Sequence, residues 1–274
     1  MDHAGNGCRN RPGHPRLNKT KIERGVTVDK RIFALGFFDG VHLGHQALLA
    51  ECCRMAAELD AVPTALTFDR HPKSLIQNPP PILLSTEEDR RLLLQHYGIR
   101  EIFTLEVTPE NMGMPWQVFM DRLMERNAVG FVCGDDFRCG FKGLGNAESI
   151  LGYCRERKLP CTVIPEQSLE GMRISSTLIR RCMESGDLSA ANTYLGHPYR
   201  LTAKCKAGNL QLPAGVALPK SGVYDCRATV DGQIHPAIVR LTPDRASIRI
   251  PDLEDTISCE SILLEFHSPV DEEC

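Results

Sequence analysis

The amino-acid sequence predicts an α/β fold, a doubly wound parallel sheet followed by a small β-rich domain, and three observations carry that expectation. From about residue 30 to residue 190, apolar runs of strand length alternate with stretches of helical period. Such alternation with short connections builds βαβ units and a parallel sheet. The run Arg31–Gln46, RIFALGFFDGVHLGHQ, reads as a strand, a glycine-rich turn and a helix entry. Beyond Leu195 the helical period fades, and two strand-like runs flank Asp231-Gly232, a dipeptide that favours a tight hairpin. The expected division is a mobile lead-in over 1–29, a main domain over 30–190 and a small β domain over 200–274, with the boundary near 187–200.

Each element has its own signal. The lead-in is basic and polar, with Pro12, Pro15 and several glycines interrupting any period. Ile32–Leu35 is the first strand, and QALLAECCRMAAEL continues as a helix. AVPTALTF (61–68) is a buried strand. STEEDRRLLLQHYG follows as a helix, with Ser85 and Glu88 in capping-box spacing and Gly98 as its stop. Residues 99–107 form a strand, 114–127 a helix, and AVGFVCG (128–134) a strand. AESILGYCRERK is a helix and LPCTVIP a strand. Right-handed crossovers then place the carboxyl ends of all these strands on one edge. The turn after the first strand, FDRHP (68–72) and GDDFRCGFKGLGN (134–146) therefore converge there.

Composition narrows the function classes. The chain has 274 residues and a net charge of −3, which gives no global attraction to nucleic acid or to an anionic membrane. No apolar run is long enough to span a bilayer, and the first residues lack the apolar centre of a signal peptide. A cytoplasmic protein is the expectation. The 12 cysteines are scattered without a C-x-x-C, so the usual zinc and redox spacings are missing. Several sit in apolar runs and read as small buried hydrophobes. No protein-held metal is expected.

The chemistry concentrates in four segments. In the opening turn, His42 and His45 lie three residues apart at a helix entry, which puts both rings on one face. Unpaired N–H groups and the positive end of the helix dipole suit a phosphate there. Gly44 would let a nucleotide approach the backbone closely. FDRHP ends the second strand, with Phe68 offering apolar area and Pro72 holding His71 extended. GDDFRCGFKGLGN mixes an aromatic, carboxylates and four glycines. RISSTLIRR (173–181) opens a helix with Ser175, Ser176 and Thr177, whose hydroxyls and N–H groups can cap the helix or bind phosphate. Arg180 lies one turn further on the same side.

Taken together, these segments resemble the adenylyltransferase module of bacterial FAD synthetases, within the H-x-G-H nucleotidylyltransferases, over about residues 31–186. GFFDGVHLGHQ is similar to that family's G-x-F-D-G-V-H-x-G-H-Q. TFDRHP is similar to T-F-E-P-H-P, with Arg70 in place of a proline. DDFRCG is similar to x-D-F-R-F-G, with Cys139 where phenylalanine is usual. ISSTLIR is similar to I-S-S-T-R-I-R, with Leu178 in place of an arginine. The resemblance implies a Rossmann-like domain that transfers AMP from ATP to FMN, giving FAD and pyrophosphate, with Mg²⁺ accompanying ATP. It implies catalytic roles for His42, His45 and Arg180. It implies an ATP site formed by Gly36, Phe37, Phe38, Gly40, His42, Gly44, His45, Ser175, Ser176, Thr177 and Arg180. Phe68, His71, Pro72, Asp136, Phe137 and Arg138 would border the flavin.

The same family usually carries a C-terminal riboflavin kinase with a P-T-A-N stretch, and this sequence has none. Only SGVYDC looks like a remnant of that domain. The expectation is a reduced, kinase-like β domain without riboflavin kinase activity. Two other readings stay open: a different H-x-G-H transferase, against which the FDRHP and DDFRCG segments argue, and a non-catalytic flavin- or nucleotide-binding regulator, which Leu178 and the altered C-terminal domain would favour. The sequence does not speak to oligomeric state.

Overall fold

The computed structural model describes residues 17–21, 30–253 and 257–270. Its first unit is a six-stranded sheet of β1 (Leu17–Lys21), β2 (Arg31–Leu35), β3 (Val62–Phe68), β4 (Glu101–Leu105), β5 (Ala128–Gly134) and, after a two-strand ribbon of β6 (Arg138–Cys139) and β7 (Gly145–Asn146), β8 (Cys161–Ile164). A second ribbon, β9 (Ser168–Leu169) and β10 (Met172–Arg173), follows. The helices are α1 (Leu43–Glu58), α2 (Glu87–His96), α3 (Pro109–Gly113), α4 (Trp116–Met124), α5 (Ala147–Glu156), α6 (Ser176–Ser185) and α7 (Leu188–Leu195).

The strand order is β1-β4-β3-β2-β5-β8. All neighbours from β4 to β8 are parallel, and β1 adds an antiparallel edge. The expected lead-in thus contributes a strand at 17–21; the rest of 1–29 lies outside the described residues. Chain order reverses between β2 and β5, so their carboxyl ends flank the crevice where ligands bind in such sheets.

Both faces of the sheet are covered, which explains the unbroken apolar runs. Along β2, Ile32 and Ala34 join the core beneath α1 and α2, while Phe33 and Leu35 join the core beneath α4 and α5. The Phe33 ring meets Phe103 edge-on at 5.4 Å between centroids.

Two local expectations change. The cap of α2 is Thr86, whose side chain accepts from the Asp89 N–H at 3.0 Å, in place of the Ser85/Glu88 pair; Ser85 is bonded to Asp39 instead. The helix expected over 114–127 begins at Trp116, because Met114 is extended ahead of Pro115. A short α3 precedes it.

The C-terminal part is a closed barrel of β11 (Tyr199–Lys206), β12 (Asn209–Gln211), β13 (Gly222–Val230), β14 (Gln233–Leu241), β15 (Ala246–Arg249) and β16 (Cys259–Val270), ordered β11-β12-β15-β14-β13-β16. Closure removes the exposed edges a small open sheet would have. Asp231 and Gly232 form the expected two-residue turn, with φ of 47° and 79° and Val230 facing Gln233. Ile179 and Met183 of α6, Leu188, Ala191 and Leu195 of α7, and Leu84 all pack in the same apolar cluster as the barrel interior. No helix among the described residues is long and apolar enough to cross a membrane.

Candidate active site

A cleft of about 970 Å³ opens at the carboxyl edge of the sheet, a size that suits a cofactor-sized ligand. It is lined by the turn after β2, the segment after β3, the loop after β5, the β10 ribbon and the start of α6. Every residue expected at the site lines it except Gly40. A Cβ on Gly40 would lie 2.9 Å from Leu84 Cδ1, so this glycine serves the packing of the turn against the barrel side. Its N–H donates to Ser85 Oγ at 3.1 Å, and its carbonyl meets His197 Nε2 at 3.1 Å.

The two histidines are built differently. His42 is the N-cap of α1, and its Nδ1 accepts from the His45 N–H at 3.4 Å. In the neutral ring this leaves the proton on Nε2, a hydrogen-bond donor. The rings stack at 3.7 Å with 17° between planes. Burial lowers His42 from the ordinary 6.5 to about 4, and the Arg180 charge adds to the effect. Burial and His42 hold His45 well below its usual range. His45 Nδ1 is buried without a hydrogen-bond partner among the described residues, a polar atom that a ligand or water must satisfy. Gly44 lines the cleft, as the sequence suggests, and it has a second reason to be glycine: a Cβ would sit 3.2 Å from the His42 ring.

Opposite the turn stands the N-terminus of α6. Ser175 caps it, accepting from the Leu178 N–H at 3.2 Å. Ser176 Oγ donates to the Asp39 carbonyl at 3.0 Å. Both hydroxyls hold the helix in place here, while the first-turn N–H groups of Ser176 and Thr177 form the positive end of the helix dipole. Arg180 donates from Nη1 to Asp39 Oδ2 at 2.8 Å and from Nη2 to Thr177 Oγ1 at 3.3 Å.

The other half of the cleft is apolar with a charged rim. Phe37 meets His71 edge-on at 5.0 Å and Phe68 at 6.5 Å. His71 Nδ1 accepts from the Lys73 N–H at 3.1 Å, and Pro72 begins the short 3-10 turn that follows. Burial, with Lys73, Arg180 and Arg90 nearby, lowers His71 to about 4. Phe137 packs on the sheet core, Arg138 is exposed, and Asp136 pairs with Arg173 at 2.9 Å. Arg70, the residue that departs from the family pattern, donates to the Val107 carbonyl at 2.8 Å, while Asp69 accepts from the Val107 N–H at 2.8 Å. Together they brace the loop against the segment after β4.

Three residues escaped sequence reasoning. Asp39 was visible as a carboxylate inside a glycine-rich phosphate turn, and it is 3% exposed beneath Arg180. Arg90 is buried, donates to the Phe68 carbonyl at 2.6 Å and lies 4.5 Å over the Phe37 ring. Nothing local marks it, because its role comes from β3 and the turn packing on one side of α2. Arg173, just ahead of the serines, ties β10 to Asp136 and Glu166.

A model of the FAD synthetase family matches residues 27–178, more than half of the chain. The chain is 29% identical over 265 residues to a bifunctional riboflavin kinase/FMN adenylyltransferase of Listeria monocytogenes, covering 89% of this chain and 83% of that protein. An FAD synthetase of the same organism is 26% identical over 217 residues, covering 78% and 85%. A chloroplastic FAD synthetase of Arabidopsis thaliana is 24% identical over 273 residues, covering 88% and 75%. A crystal structure described as a macrolide-efflux protein from Streptococcus pneumoniae superposes with a TM-score of 0.78 at 23% identity, over 89% of this chain and 87% of that one; at that identity the likeness concerns fold alone. With the stacked histidine pair, the capped α6 and an aromatic-walled cleft at one sheet edge, this chain belongs to the FAD synthetase family.

Proposed function

We propose that the protein transfers AMP from ATP to FMN, forming FAD and releasing pyrophosphate. The observation that carries this is one cleft with two chemically distinct halves: His42, His45, Arg180 and the α6 N-terminus in one, Phe37, Phe68, His71 and Phe137 in the other. A phosphate oxygen of FMN attacks the α-phosphorus of ATP, and the bond from that phosphorus to the bridging oxygen breaks. The attacking group is already an anion at neutral pH, so no protein base is needed. Catalysis reduces to alignment and to stabilising charge on the phosphates.

Neutral His42, with its proton on Nε2, donates to an α-phosphate oxygen without the cost of an isolated buried charge. Arg180 and the N–H groups of α6 hold the β- and γ-phosphates that leave. Phe37, counted with the ATP site by the family resemblance, packs beside Phe68 and His71 with Arg90 behind it, and so offers its flat wall to the isoalloxazine ring instead. ATP enters as its magnesium complex. Both carboxylate oxygens of Asp39 are occupied by N–H, hydroxyl and guanidinium donors. No cluster of three His, Cys, Asp or Glu side chains with metal-binding geometry occurs among the described residues. A magnesium ion arriving with ATP would be held by phosphates and water and would neutralise phosphate charge.

The barrel lacks the P-T-A-N stretch, and its interior is filled by Leu201, Ala203, Val239, Ile262, Leu264 and Phe266. We therefore propose that riboflavin is not phosphorylated. Incubation of the protein with MgATP and FMN should give FAD and pyrophosphate by chromatography. Incubation with MgATP and riboflavin alone should give neither FMN nor FAD. Absence of FAD in the first reaction refutes the transferase reading, and FMN in the second, at a comparable rate, refutes the single-activity reading.

A further inference from the structure

We infer that Asp39 is a positioning residue that sets the Arg180 guanidinium, and that the C-terminal barrel holds Asp39 in place through the loop 83–85. This rests on the reading that Arg180 grips ATP phosphates.

A carboxylate beside a triphosphate site repels the ligand unless it is committed elsewhere. Asp39 is 3% exposed and fully committed. Its Oδ1 accepts from the Leu84 N–H at 2.8 Å, the Ser85 N–H at 3.1 Å and Ser85 Oγ at 3.3 Å. Its Oδ2 accepts from Arg180 at 2.8 Å. With Thr177 Oγ1 as the second anchor, the planar guanidinium is held at two points, and its other donors remain for phosphate oxygens.

The loop that holds Asp39 is itself pinned from the far side. Leu83 donates to the Gly215 carbonyl at 2.9 Å and accepts from the Ala217 N–H at 2.7 Å. Tyr199 of the barrel donates to the Ala217 carbonyl at 2.5 Å. The Leu84 side chain is buried in the barrel's own cluster. One connected path therefore runs from barrel backbone through Leu83–Ser85 and Asp39 to Arg180. A barrel that performs no chemistry of its own would still serve adenylyl transfer by removing the orientational freedom of this arginine. Such freedom must otherwise be lost when ATP binds.

The test is a double-mutant cycle read by MgATP affinity in calorimetry and by pyrophosphate inhibition of FAD formation, using the full-length chain as Asp39→Asn, Ser85→Ala, Arg180→Ala and the two doubles with Arg180→Ala. Asp39→Asn should weaken MgATP and pyrophosphate binding by roughly tenfold, the scale of one hydrogen bond to a charged group, with the KM for FMN little changed. On the Arg180→Ala background the same change should weaken neither ligand further, because residues acting through one another are non-additive and the carboxylate that Arg180 no longer engages is itself removed. Ser85→Ala should shift the same quantities less, in the same direction. If the effects of Asp39→Asn and Arg180→Ala multiply, or if FMN and ATP are weakened alike, Asp39 is only a strut and the inference is wrong. Should Asp39→Asn not fold, the cycle with Ser85→Ala decides by the same criterion. Failure of the functional reading is seen separately, as a wild-type chain that binds MgATP but makes no FAD.

Discussion

His42 caps α1 with one ring nitrogen and leaves the other as a donor, so its replacement touches helix and chemistry together. His42→Ala should slow adenylyl transfer by roughly a hundredfold or more, the scale of one preorganised donor, and lower stability by about 1 kcal/mol, the scale of one N-cap. Steady-state rates and urea unfolding measure the two separately; an unchanged rate would show that the ring is a cap alone. Gly44→Ala should leave the chain folded yet reduce turnover, since its Cβ would press on the His42 ring at 3.2 Å. The pH dependence follows from the same burial. His42 and His71 are lowered from 6.5 to about 4 in the folded chain. Between about 4 and 6.5 the unfolded chain binds more protons than the folded one, so stability rises with pH across that window and is lost on acidification. Urea midpoints at pH 5 and pH 7 should differ in that direction, and the His42→Ala/His71→Ala chain should show a smaller difference.

At the scale of elements, α2 joins the two halves of the molecule. Thr86 caps it, and Asp89 Oδ1 accepts from the Thr202 N–H of the barrel at 3.1 Å and from Thr202 Oγ1. Thr86→Ala should lower stability by about 1 kcal/mol with little effect on the KM for ATP or FMN, because Thr86 does not line the cleft. A thermal melt and steady-state kinetics on the same sample check this; a large change in KM would mean that α2 moves with the site. Arg70 acts on a loop through the Val107 carbonyl. Arg70→Ala should raise the KM for FMN more than that for ATP, since that loop borders the aromatic half of the cleft.

For the whole molecule, the shared cluster of Leu84, Ile179, Met183, Leu195 and the barrel interior makes independent unfolding of the barrel unfavourable. Trp116 is the single tryptophan and lies in the sheet domain. Its fluorescence should therefore follow the same transition as the far-ultraviolet signal of the whole chain, as a two-state protein requires. Two separated transitions would show that the barrel is an independent unit and would weaken its link to Arg180.

Sequence periodicity was enough to read the order of the main strands and helices, though not the edge strand β1 or the short α3, because it reports which face of an element is buried. β2, β3 and β5 appear where apolar runs end in glycine or polar turns, and Asp231-Gly232 turns the hairpin because both positions need positive φ. The candidate site was readable in part for a related reason: the segments after β2, β3 and β5 stand at strand ends, which a parallel sheet brings to one edge, whereas the α6 segment, which follows the β9/β10 ribbon, was assigned to the site by family resemblance. Tertiary packing decided the rest. Ser85 lost its place as a helix cap because Asp39, 46 residues away, offered a buried carboxylate. Arg90 entered the site because α2 packs beside β3, and Gly40 left the cleft because Leu84 occupies the space behind it. Hydrogen bonds and contacts between residues distant in the chain have no local signature, so which polar groups are committed, and which remain for a ligand, is settled only when the chain closes on itself.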